Sequence, residues 1–117
     1  ESFLAMPKNY CKLLRHIMID VAEQHLETIK RILAKYAGDC EVRAFGSRIS
    51  GTAREYSDLD VAIIGKNKIK RRVKMLLREA FEESDLPFRV DVIDYIAISD
   101  AFRAIIDRKY EILQKKP

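Results

Sequence analysis

Cysteine is scarce in this chain of 117 residues: only Cys11 and Cys40 occur, with no CxxC pair and no histidine at metal-ligand spacing. That excludes a disulfide scaffold or a zinc site and suits a reducing, cytoplasmic setting. Long apolar runs are missing as well, and nothing approaches the roughly 18 consecutive apolar residues of a membrane span. The opening segment ESFLAMPKNYCKLLRH has its apolar residues interrupted by Pro7, Lys8, Asn9 and Lys12, so it does not read as a secretory signal. Internal repeats and low-complexity linkers are absent. The two histidines, His16 and His25, lie far from any other ligand type and read as ordinary surface or packing residues.

At 13.6 kDa the chain fits one domain spanning residues 1–117, able to bury very roughly 65% of its unfolded surface. Glu1 is not an initiator, and Met6 and Met18 are both candidate starts, so residues 1–17 read as a helical extension or as non-native sequence. The 22 basic and 18 acidic residues give a net charge of +4. Lys66, Lys68, Lys70, Arg71, Arg72, Lys74 and Arg78 form a stretch without a single acid, and the reading is a solvated helix face. Such a face could also attract phosphates or an acidic partner. No aromatic residues interleave with these cations, so nucleic-acid binding is not expected.

Ala22, Leu26, Ile29, Leu33 and Tyr36 repeat at helical spacing. Asp20 with Glu23 resembles a capping box, Gly38 a left-handed stop, and Leu14 and Met18 extend the stripe back toward Cys11. Glu41 to Phe45 reads as a strand running into a turn at Gly46. Asp58 to Ile64 is the clearest strand, with Leu59, Val61 and Ile63 on one face. Ile69, Val73, Leu76, Leu77, Ala80 and Phe81 return to helical spacing. Phe88 to Ile93 is extended, and Ser99 caps a last helix with the stripe Phe102, Ile106, Tyr110 and Leu113. The expected class is α+β, a small sheet of three strands covered by helices.

The chemistry concentrates in FGSRISGTAREYSDLDVAII, residues 45 to 64. Gly46 permits close backbone approach, and Ser47 with the start of a short helix makes a cradle for phosphate oxygens. Asp58 and Asp60 stand two apart on a strand, so their carboxylates leave one face roughly 7 Å apart. Mg²⁺, which favours carboxylate and phosphate oxygens, relieves their repulsion, and a pair of such ions clamps attacking and leaving oxygens. Asp91, in the apolar run FRVDVI, is a costly placement unless paired or metal-bound. Asp94 points the opposite way, so Asp91 is the preferred third ligand.

GSRISGTAREYSDLDVAII with VDVID downstream resembles the nucleotidyltransferase fold of the DNA polymerase beta superfamily. The pattern is strand, Gly-Ser, a spacer of about ten residues, Asp-hydrophobic-Asp, and an acid on a later strand. The small size is most similar to the minimal nucleotidyltransferases, the MntA-like group, over about Val21 to Leu113. The resemblance implies that Gly46 and Ser47 hold the triphosphate of ATP and that Asp58 and Asp60 ligate two Mg²⁺ ions. It implies that Asp91 ligates the catalytic metal and helps deprotonate the acceptor. Arg48, directly after Gly-Ser, is a candidate bidentate phosphate contact.

The family also implies a partner: a small helical HEPN ribonuclease toxin, neutralised when AMP is moved from ATP onto a tyrosine. The expected function is therefore that of the antitoxin in such a toxin–antitoxin pair. Transfer to a small molecule such as an aminoglycoside is the alternative enzyme reading, although those relatives carry a further acceptor domain. A non-catalytic module that masks a partner is the alternative outside enzymology. Homo-oligomerisation stays open.

Overall fold

The computed structural model describes residues 19–117, and the expectations placed on Cys11, Leu14, His16 and Met18 lie outside the described residues. Helical spacing becomes α1 (Glu23–Ala37), which buries Leu26, Ile29, Leu33 and Ala37. Its ends differ from the expectation. Ala22 occupies the N-cap with no side-chain cap, because the Asp20 backbone is bonded at both its amide and its carbonyl to Arg48. Gly38 is right-handed; the carboxamide of Gln114 instead satisfies the carbonyls of Ala37 and Cys40, both at 2.8 Å.

Strand β1 (Glu41–Phe45) runs into α2 (Ser47–Ser50), a single turn ended by Gly51 in the left-handed region. Then follow β2 (Leu59–Ile64), α3 (Arg71–Glu83), β3 (Val90–Asp94), α4 (Asp100–Arg108) and β4 (Glu111–Gln114). Ser99 caps α4 as expected, its hydroxyl accepting from the Phe102 amide at 3.2 Å. The last helix, however, stops at Arg108, and Tyr110 and Leu113 belong to an extended segment. The sheet gains a fourth strand by this change and has the order β3-β2-β1-β4. Pairing with β1 satisfies backbone groups along an edge that a longer helix would leave bare.

Two faces share the burial. On one, α1 and α3 pack against Val42, Ala44, Leu59, Val61, Ile63 and Val92. On the other, the smaller α4 covers Phe45 and Ala62 with Ile106. The α3 cations Arg71, Arg72 and Arg78 are exposed, as a solvated face requires. The Cys40 thiol is buried and pushed up to about 11, mainly by desolvation, which keeps it protonated and inert.

Arg48 ties the N-terminal approach to the loop before β2. Only 6% exposed, its guanidinium donates to the carbonyls of Ser57 (2.9 Å), Asp20 (2.7 Å), Arg54 (3.4 Å) and Glu55 (3.0 Å). It also stacks 4.1 Å above the Phe88 ring. Arg48→Ala leaves these carbonyls without their donor and should lower the unfolding free energy by about 3 kcal/mol or more. Urea titration of the two proteins reads that difference, and Arg48→Lys should recover only part because an ammonium lacks the planar fork.

Candidate active site

The site is built at one end of β2, where strand pairing collects acidic residues. Strands β2 and β3 run parallel with Asp60 registered against Asp91, so two carboxylates leave neighbouring strands on the face that α4 covers farther along. Strand neighbours stand about 4.8 Å apart. Asp58 directly precedes β2 on the same alternation, and on the other side Phe45 pairs with Asp60 across the antiparallel β1–β2 ladder. Gly46 therefore begins its turn against the Asp60 side chain. Its φ of 85° lies in the left-handed region, and a Cβ there would stand 2.2 Å from Asp60 Oδ2. Any side chain at position 46 would collide with that carboxylate.

Electrostatics shows how closely the acids share this space. The Asp60 carboxyl is pushed up from 3.8 to about 6, first by desolvation, then by the charge on Asp91, then by that on Asp58. None of the three acids makes an ion pair among the described residues. Nor are three potential metal-binding side chains gathered into a ready-made cage among those residues. Asp60 stands between Asp58 and Asp91 and is repelled by both, and the carboxylates supply the hard oxygen donors that Mg²⁺ prefers, so the donor set fits that ion. Asp94 is spoken for: buried, it accepts from the amides of Ile69 (2.9 Å) and Ile96 (3.2 Å).

Arg48 corrects the expectation of a phosphate contact. Its donors are already engaged by backbone carbonyls of the 54–57 loop and Asp20, so the residue positions the loop that delivers Asp58. A motif shows that an arginine follows Gly-Ser but not that it turns inward. Ser47, by contrast, opens toward a cleft of about 320 Å³ together with Ser50, Thr52 and Lys109. A larger cleft of about 700 Å³ opens on the other side, with Asp58 and Asp91 in its wall beside Tyr56, Arg78 and Phe88. His25 packs edge-on against Phe88, ring centroids 6.2 Å apart, in keeping with a packing role.

Removing the Asp60 charge should stabilise the metal-free protein in a pH-dependent way. Its folded pKa of about 6 lies above the ordinary 3.8, so the native state holds a proton that the unfolded chain has released. The contribution is therefore present at low pH and lost as pH rises through that window. In the presence of a chelator, Asp60→Asn should match the wild-type melting temperature near pH 4 and exceed it by pH 7. A difference that stays constant over this range would contradict the repulsion.

Comparison with known proteins converges on one family. Residues 27–117 match the family model described as Polymerase beta, Nucleotidyltransferase. The chain is 44% identical over 98 residues to a protein of Haemophilus influenzae (strain ATCC 51907 / DSM 11121 / KW20 / Rd) named probable protein adenylyltransferase MntA, covering 84% of this chain and 86% of that one. A crystal structure of a toxin–antitoxin with AMP-PNP superposes with a TM-score of 0.65 at 21% identity, over 75% of this chain and 71% of the other. A second solved structure, a tri-AMPylated Shewanella oneidensis HEPN toxin in complex with MNT antitoxin, gives 0.59 at 17% identity, over 78% and 70%. With its Gly-Ser turn, paired strand acids and mixed four-stranded sheet, this chain belongs to the polymerase beta nucleotidyltransferase family.

Proposed function

We propose that this protein is a Mg²⁺-dependent adenylyltransferase that moves AMP from ATP to a tyrosine hydroxyl of a HEPN-family toxin, serving as its cytoplasmic antitoxin. The observation that carries the reading is the register of Asp60 against Asp91 beside Asp58, with Gly46 pressed against the Asp60 carboxylate. The relative named as a protein adenylyltransferase and the structural likeness to an antitoxin bound to an AMPylated toxin support the choice of group and acceptor.

Asp58, Asp60 and Asp91 would hold the metal ions, which when bound neutralise phosphate charge and lower the pKa of the acceptor hydroxyl. Gly46, lacking a Cβ, lets the nucleotide approach the backbone, and the Ser47 hydroxyl is free among the described residues to donate to a phosphate oxygen. The tyrosine oxygen forms a bond to the α-phosphorus while the bond to the departing pyrophosphate oxygen breaks. Asp91 lies in the wall of the larger cleft, placed to receive the acceptor's proton. Positioning and charge stabilisation supply most of the rate. The larger cleft is open at the surface and bordered by Tyr56, 70% exposed. That setting suits an acceptor carried on another protein better than an enclosed small molecule.

Incubation with labelled ATP, Mg²⁺ and a HEPN-family toxin from the same organism should label that toxin. Asp58→Asn should cut transfer on the order of a hundredfold or more while circular dichroism stays unchanged. Tight complex formation without label in the wild type would contradict the reading and leave only a masking module.

A further inference from the structure

The smaller cleft contains a cation that no other part of the fold uses. Strand β4 pairs antiparallel to β1 with Glu111 opposite Ala44, which brings the α4–β4 junction alongside the end of β1 and the Gly46–Ser47 turn. Lys109 occupies that junction and lines the same cleft of about 320 Å³ as Ser47, Ser50 and Thr52. Its ammonium makes no ion pair or hydrogen bond among the described residues. Among the nearby arginines, Arg108 is exposed and does not line the cleft, and the other three are committed. Arg43 pairs with Glu41 at 2.6 Å and Asp107 at 2.7 Å, Arg103 pairs with Asp100, and Arg48 is bonded to backbone carbonyls. On the cleft floor the Ser50 and Thr52 hydroxyls are bonded to each other at 3.0 Å. One unpaired cation facing a cluster of hydroxyls is a chemistry suited to phosphate.

The two clefts also have opposite relations to the acids. Asp58 and Asp91 border the larger one, whereas the smaller one begins at Gly46 and Ser47 and leads away to Lys109. In-line displacement needs the entering and departing oxygens on opposite sides of the α-phosphorus. With the acceptor arriving through the larger cleft, the departing phosphates extend into the smaller. We infer that Lys109 binds the terminal phosphates of a nucleoside triphosphate and so makes the site select triphosphates over monophosphates. This rests on the reading of the Gly46–Ser47 turn as the phosphate side of the active site.

Calorimetry on the full chain with Mg²⁺, using a non-hydrolysable ATP analogue and AMP, separates the possibilities. Lys109→Gln should weaken the triphosphate analogue about tenfold, the scale of one charge-assisted contact, and move AMP less than about twofold. Lys109→Arg should restore most of the loss. Equal weakening of both nucleotides by Lys109→Gln overturns the inference. So does an unchanged analogue affinity in Lys109→Gln when Ser47→Ala weakens it, with the phosphate assignment left standing. If neither variant changes analogue binding, the phosphate assignment of the Gly46–Ser47 turn fails and the role of Lys109 fails with it.

Discussion

Repulsion among carboxylates organises the active end of this sheet. Parallel pairing sets Asp60 beside Asp91, the strand alternation adds Asp58, and desolvation deepens the cost of ionising the central acid. A fold that held these groups together without a counter-charge would carry a steady penalty near neutral pH. In the proposed function, divalent cations would turn that penalty into affinity, and a triphosphate would bring further negative oxygens to the same ions. On that reading the penalty and the catalytic capacity have one origin.

Holding that arrangement requires rigid support from the residues around the acids. The guanidinium of Arg48 gathers the 54–57 loop and the approach to α1 around one buried charge, so Asp58 leaves the loop at a defined place. Buried arginine is tolerable here because backbone carbonyls satisfy most of its donors and Phe88 covers its face. Gly46 supports the site differently, through absence of a side chain where Asp60 needs room. On the far face of the sheet, α1 and α3 supply most of the apolar burial, leaving the acidic end only lightly covered by the short α4.

Much of this was legible in the linear order of residues. The alternation around Asp58 and Asp60 identifies β2, and the apolar run around Asp91 identifies a strand whose acid needs a partner. Local pattern also distinguishes Asp91 from Asp94, since adjacent strand residues face opposite ways. What could not be read depends on contacts distant in the chain. Tyr110 and Leu113, three apart, fit a helical stripe, yet in the extended segment they face opposite sides of the sheet, Leu113 toward the larger core and Tyr110 toward the α4 side; only the free edge of β1 decides for β4. Asp20 and Gly38 carry the residue types of helix ends, yet Arg48 and Gln114 provide the bonds there. The inward turn of Arg48 and the placement of Lys109 beside Ser47 likewise follow from tertiary pairing, for which neighbouring residues give no signal.

The most direct test is a crystal structure of the protein with Mg²⁺ and a non-hydrolysable ATP analogue. The account predicts metal ions about 2.0–2.1 Å from carboxylate oxygens of Asp58 and Asp60, with Asp91 completing one shell and the triphosphate lying along the Gly46–Ser47 turn. Metal held by phosphates and water alone, with the three carboxylates unengaged, would contradict it.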